Sequence, residues 1–280
     1  MMIGITDAGG GMRASYGAGV FDFCLDHGIS FDVLVGVSAG SANMASFLAK
    51  QRGRAIKYYT DYCFRSEYLG VKAFLKSGNF LNLEYICGPE LAMEGGEYPL
   101  DYETMISSGS EFLVVATDAK TGRPVYFDLS DMPKNDFGAS IASCCVPIAT
   151  APYEFHGSLY YDGGLSDPLP FQKAFEKGAD KVVVMITRPR DYYRNTKKDI
   201  LPAKLLRKYP AIRKALAGRA ELYNRQLDEA KNLERQGKVL ILAPDSIEGM
   251  STLKRDKGAI LKLYEKGMKD AEALVSFHEH

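Results

Sequence analysis

The first fifty residues alternate between short apolar runs and stretches of helical period, with glycine at the junctions. Met2 to Thr6 is a mostly apolar run that ends in the turn cluster Asp7-Ala8-Gly9-Gly10-Gly11, the pattern of a buried strand. Arg13 to Leu25 follows with helical spacing, and His27-Gly28 supplies a stop signal. Phe31 to Val35 is a second apolar run. Gly36-Val37-Ser38-Ala39-Gly40 interrupts it, and Ser41 to Lys50 resumes as a helix of small residues. Two strand–turn–helix units in so short a span predict a parallel α/β sheet.

Further along, the pattern loosens. Arg52 to Pro99 predicts mostly helix, rich in Tyr and Phe, with a weakly patterned tail from Cys87. Glu111 to Thr117 and Pro124 to Asp128 predict two strands of a hairpin turned by Lys120-Thr121-Gly122. Asp136 to Ser143 predicts a short helix, and Ser158 to Tyr161 a strand fragment ahead of Asp162-Gly163-Gly164. Lys181 to Thr187 is the most β-like run in the chain. Beyond Arg188 the pattern is basic and helical, with one more strand at Val239 to Leu242 and a closing helix from about Gly258 to Phe277. No internal repeat or low-complexity linker divides the chain. One domain over 1–280 is expected, with a motif-bearing core over about 2–188 and a basic helical extension over about 189–280.

Composition changes this picture little. A chain of 280 residues with 46% hydrophobic and 25% charged residues can bury a core without staples. A formal net charge of zero gives no reason to expect nucleic acid as a partner. The five cysteines are odd in number, Cys144 and Cys145 are adjacent, and no CxxC pair occurs. They indicate neither a disulfide framework nor a zinc site, and no metal or cofactor is expected. The N-terminal stretch lacks a basic region followed by an apolar one, and no run of about 18 apolar residues occurs. The expected location is cytoplasmic.

Gly36-Val37-Ser38-Ala39-Gly40 fits G-x-S-x-G between a strand and a helix. A nucleophile at a tight strand-to-helix turn needs small neighbours, because the backbone there is strained and closely approached. The helix behind it also aims free N–H groups and a positive dipole end at the serine. Read alone, the motif is equally a glycine-flanked serine capping a helix. A nucleophilic serine needs a base. The histidines are His27, His156, His278 and His280. An α/β-hydrolase triad requires serine, then acid, then histidine, but His156 precedes the best acid candidate, and His278 and His280 lie in the last three residues, where chains usually fray. A carboxylate serves instead if its surroundings raise its affinity for a proton. Asp162 is the candidate: Leu159-Tyr160-Tyr161 leads into it, and Gly163 and Gly164 permit close backbone approach. The competing reading is an ordinary Asp-Gly turn.

Gly9-Gly10-Gly11-Met12-Arg13-Ala14 lies between a strand and a helix. Such a loop can gather consecutive N–H groups at one spot, as an oxyanion requires, and those of Gly10, Gly11 and Met12 are the candidates. The same loop also satisfies the G-x-G-x-x-A fingerprint of a dinucleotide-binding oxidoreductase. That fold wants an acid at the end of its second strand, however, and Asp32 lies at the start.

These three motifs, in this order, resemble those of the patatin-like phospholipases. The family carries a G-G-G-x-R/K-G loop, a G-x-S-x-G elbow and a downstream D-G-G/A aspartate. Ser143-Cys144-Cys145-Val146-Pro147 is similar to its S-x-x-x-P stretch. The resemblance covers about residues 2–188. Ala14 departs from it, standing where the family has glycine, which is tolerable if that position has helical φ. The resemblance implies a three-layer α/β/α fold with a mostly parallel central sheet, a Ser38–Asp162 dyad without a metal, and hydrolysis of glycerolipid acyl esters. An acyltransferase or thioesterase would use the same dyad.

Three further features are left open by the sequence. Arg13 either holds a substrate phosphate, pairs with Asp7 or is solvated. Tyr58, Tyr59, Tyr62, Phe64, Phe74 and Phe80 either pack the core or line an acyl pocket or lid. Residues 188–219 hold eleven basic residues against two acids, with Leu201, Leu205, Leu206, Tyr209, Ile212 and Leu216 interleaved. That segment is either a peripheral dock for an anionic membrane or a solvated face whose leucines turn inward.

Overall fold

The two apolar runs at the start of the chain pair with each other in parallel, Ile5 opposite Leu34 and Thr6 opposite Val35. In the computed structural model, which describes residues 1–279, they are strands β1 (Ile3–Asp7) and β2 (Val33–Val37) of one eight-stranded sheet. The others are β3 (Glu111–Asp118), β4 (Pro124–Phe127), β5 (Tyr153–Phe155), β6 (Ser158–Asp162), β7 (Lys181–Met185) and β8 (Val239–Leu242). The order is β5-β6-β3-β2-β1-β7-β8, with β4 also paired to β3. The centre from β3 to β8 is parallel, and β4, β5 and β6 join antiparallel.

Both faces of the sheet are covered, which is why its strands read as continuous apolar runs. Leu34, Phe112, Val114, Val183 and Met185 face one layer, formed by helices Ser15–His27, Ala39–Leu48, Gly138–Cys144 and Lys257–Asp270. Val33, Val35, Val115, Val182 and Val184 face the other, where Phe171 and Ala174 of helix Phe171–Glu176 meet Tyr223, Leu227 and Ala230 of helix Pro210–Arg235. The architecture is a three-layer α/β/α sandwich.

The C-terminal region is fastened to the first helix. A Cβ on Gly19 would overlap the Tyr264 carbonyl oxygen, and one on Gly267 would overlap that of Tyr16, so the two helices cross backbone to backbone. Tyr16 donates to Asp270 at 2.9 Å, and Tyr264 to Asp22 at 2.8 Å.

Differences from the sequence reading lie where elements are short. Arg52 to Pro99 holds four brief helical segments, Arg54–Thr60, Tyr62–Phe64, Val71–Ser77 and Leu83–Cys87. Strand β5 has too few residues to show a period; it pairs with β6 through a turn in which His156 and Gly157 both have positive φ. The closing helix is two, Lys257–Asp270 and Ala273–Glu279. Among the described residues, no helix is long and apolar enough to cross a membrane.

Candidate active site

Ser38 follows β2 directly with φ 55° and ψ −132°, a conformation that costs a non-glycine residue about 1–3 kcal/mol. The turn is compressed on both sides. A Cβ on Gly36 would crowd the Ser41 backbone, and one on Gly40 would crowd the Asp7 carbonyl oxygen. The Ser38 N–H donates to the Ser143 hydroxyl at 2.7 Å, and that hydroxyl donates onward to the Val115 carbonyl at 2.5 Å. Ser143 thus pins the strained turn to β3.

Strand β3 also brings the acid. Val37 lies opposite Val115, and Asp162 opposite the next residue, Ala116. The Asp162 N–H donates to the Cys145 carbonyl at 2.8 Å, and Thr117 Oγ1 donates to the Asp162 carbonyl at 2.8 Å. A Cβ on Gly163 would overlap the Val115 carbonyl oxygen, which explains the glycine after the acid. The carboxylate accepts from Gly164 N–H at 2.8 Å and lies beside the Ser38 hydroxyl. Burial raises its pKa above the ordinary value. Hydrogen bonds from Ser38 and Gly164, and the charges of Arg219 and Arg194, oppose that rise. The Cys144 thiol also neighbours the Ser38 hydroxyl, and burial pushes its pKa well up, so it stays protonated.

The glycine loop takes left-handed backbone at Gly9, Gly10 and Gly11, with φ of 62°, 114° and 61°. A side chain there would be strained. Gly9 N–H donates to Asp7 Oδ1 at 2.9 Å, and Thr187 Oγ1 donates to the Gly9 carbonyl at 2.5 Å. The Met12 N–H is committed to the Thr252 carbonyl at 2.9 Å. Met12 is therefore not a free donor, contrary to the sequence expectation. The N–H groups of Gly10 and Gly11 have no protein acceptor among the described residues. Ala14 has φ −70° and ψ −1°, so the position needs no glycine.

Arg13 does not pair with Asp7. Its Nε donates to the Thr187 carbonyl at 3.2 Å and its Nη1 to Thr252 Oγ1 at 3.3 Å. Asp7 is fully buried, which pushes its pKa up to about 6. It accepts from Asn43 Nδ2 at 3.0 Å; that group also donates to the Ala14 carbonyl at 2.9 Å, while Tyr59 donates to Asn43 Oδ1 at 2.9 Å. Asp7 and Asn43 brace loop and elbow together. The sequence signal for Asp7 was a charge closing an otherwise apolar strand; for Asn43 there was none.

Ser38 stands where two cavities meet. The first, about 970 Å³ counted to its open mouth, is lined by Ala39, Ala42 and Ala45 on one helix face and by Tyr58, Tyr59, Leu81, Leu83 and Ile86. The small residues of that helix are what leave the space. Tyr62 is buried elsewhere in the core, and Phe64, Phe74 and Phe80 are exposed outside the lining. The second, about 850 Å³ counted likewise to its open mouth, is walled by Gly9, Gly10, Gly11, Asp162, Arg13, Arg188, Arg194 and Arg219. The last three belong to the basic stretch that the sequence reading assigned to the surface. His27, His156 and His278 line neither cavity, and His280 lies outside the described residues.

Fold and site together define a class. The sequence model of the patatin-like phospholipase family matches residues 8–175, and the chain belongs to that family. A second model, described as a domain of unknown function (DUF6363), matches residues 209–278, the segment that supplies Arg219, Tyr223 and Thr252 to the cationic cavity. The chain is similar to the uncharacterized protein YjjU of Escherichia coli (strain K12), at 30% identity over 196 residues. That match takes in 68% of this chain and 53% of the relative, so the chain spans about half the length of that protein. The crystal structure of VipD from Legionella pneumophila superimposes with a TM-score of 0.51 over 99% of this chain and 67% of that one. At 13% identity this is a likeness of fold.

Proposed function

We propose that the protein is a serine acyl-hydrolase of lipid esters, with Ser38 as nucleophile and Asp162 as base. One observation carries this reading: the hydroxyl of a serine on strained backbone lies beside a buried carboxylate, at the junction of an apolar and a cationic cavity. Asp162 takes the Ser38 proton as the oxygen attacks the ester carbonyl, then returns it to the leaving alcohol. Water repeats the sequence on the acyl-enzyme. The N–H groups of Gly10 and Gly11 hold the oxyanion, each such donor being worth roughly 3 kcal/mol. The apolar cavity receives the acyl chain. A fluorophosphonate is expected to add at Ser38 alone, and Ser38→Ala to abolish labelling and ester hydrolysis together. Hydrolysis retained in Ser38→Ala would refute the reading.

Two broader readings accompany it. Residues 1–279 act as one domain, because β8 extends the sheet that β1 begins. Residues 188–219 make peripheral contact with anionic membrane: Leu201 and Leu205 are 72% and 71% exposed, beside the exposed Lys204, Arg207 and Lys208.

A further inference from the structure

The second cavity carries more charge than ester hydrolysis requires. Of its four guanidinium groups, only Arg219 has a carboxylate in ion-pair range among the described residues, Asp199 at 2.7 Å. Among the described residues, the one acid in the cavity wall is Asp162. Two acids against four guanidiniums leave an excess of two positive charges. The guanidiniums also repel one another: burial first, then neighbouring arginines, lowers the pKa of Arg13 and of Arg194 to about 10. Both remain cationic at neutral pH, and buried charge of one sign calls for an anion.

Unsatisfied polar atoms gather at the same cavity. Arg188 Nε, Arg194 Nε and the Tyr223 hydroxyl are buried without a hydrogen-bond partner among the described residues. The side chains are nonetheless held in place. Arg188 stacks over the Tyr192 ring at 4.3 Å, and Arg194 over Tyr223 at 4.7 Å. Asn224 clamps the Arg194 backbone, accepting its N–H at 2.7 Å and donating to its carbonyl at 3.0 Å. Donors fixed in this way bind without the cost of ordering long side chains.

We propose that this cavity is an anion subsite for the phosphate of the substrate's head group, making the substrate an acyl ester of a phosphate monoester. The proposal rests on the acyl-hydrolase reading and adds the substrate class. Two negative charges on the phosphate match the excess of two positive charges on the wall. Planar guanidiniums donate to phosphate oxygens in pairs. With the phosphate here and the acyl chain in the apolar cavity, the ester between them spans Ser38. A phosphocholine head would instead bring an ammonium group into a cationic cavity.

Three esters with one common acyl chain, each kept monomeric, test this: a lysophosphatidate, its phosphocholine counterpart and a neutral monoacylglycerol. Wild-type hydrolysis of the neutral ester tests the hydrolase reading by itself. The subsite requires kcat/KM at least tenfold higher for the phosphate monoester than for the phosphocholine ester. That ratio should approach one in Arg188→Gln and Arg194→Gln, with the loss mainly in KM. Arg188→Lys and Arg194→Lys, which keep the charge but not the paired donors, should fall between. Inorganic phosphate should inhibit wild type competitively, and the Gln variants at least tenfold more weakly. Equal kcat/KM for the two phosphate-bearing esters in wild type, with the neutral ester still hydrolysed, overturns the subsite and leaves the hydrolase reading standing. So does phosphate inhibition without any such preference, which would mark a site for free phosphate. No hydrolysis of any of the three overturns both.

Discussion

The Ser143 hydroxyl accepts the backbone N–H of Ser38 at 2.7 Å and itself donates to the Val115 carbonyl at 2.5 Å. Two residues 105 positions apart thereby hold the Ser38 turn against the sheet. Ser143→Ala leaves a buried N–H without an acceptor, which costs about 1–3 kcal/mol. Chemical denaturation should record that loss. Because the turn itself relaxes, kcat should fall tenfold or more with fluorophosphonate labelling slowed in parallel.

Asp162→Asn removes the proposed proton acceptor with little change of shape. Turnover should fall about a hundredfold or more. His156→Ala, at the tip of the β5–β6 turn and stacked on Phe155, should leave turnover within about twofold of wild type. Steady-state kinetics on a soluble ester compares the two. A dead His156 variant beside an active Asp162 variant would exclude the dyad.

The pH profile follows from the direction of the Asp162 shift. In the proposed mechanism Asp162 works as a base when ionised, and its pKa is raised by burial. Activity should therefore be lost as pH falls through that raised value, with the acid limb of kcat/KM above the ordinary carboxylate range. The charges of Arg219 and Arg194 oppose the rise. Removing either, as in Arg219→Gln, should move the limb to higher pH; a shift to lower pH would contradict the assignment.

Gly10 has φ 114°, and a Cβ there would meet Thr187 Oγ1 at 2.6 Å and an Arg13 nitrogen at 2.9 Å. Gly10→Val should displace the loop's donors and lower kcat by a factor of about 100 to 1,000, the scale of losing one oxyanion donor. Thermal unfolding measured alongside separates that effect from loss of fold.

Co-sedimentation tests the membrane contact. Anionic vesicles should bind the protein at low salt and release it at high salt, since each basic residue near such a surface contributes about 1 kcal/mol. Lys204, Arg207 and Lys208 changed together to Glu should abolish binding. Equal recovery on anionic and zwitterionic vesicles would make the segment ordinary surface.

What the sequence determined alone is what chain neighbours decide. Strands β1, β2, β3, β7 and β8 were legible because a strand buried on both faces must be apolar throughout. The glycines flanking Ser38 and Asp162 were legible because a tight turn or a close carbonyl excludes a Cβ at that very position. Ala14 was legible in the same way, since only a left-handed φ would have demanded glycine there.

Tertiary structure decided everything that depends on a distant partner. Asp162 reaches Ser38 because adjacent residues of β3, Val115 and Ala116, pair with the strands that carry them, and register between distant strands leaves no mark in either. Met12 lost its donor role to the Thr252 carbonyl, 240 residues along. Arg13 turned from Asp7 to Thr187 and Thr252 because Asn43 and Gly9 had already satisfied the acid. Arg188, Arg194 and Arg219 read as part of a basic surface because charge composition is blind to direction. The long helix beneath them and the loop after β7 turn them inward, where charge of one sign gathers at a cavity wall instead of dispersing into water.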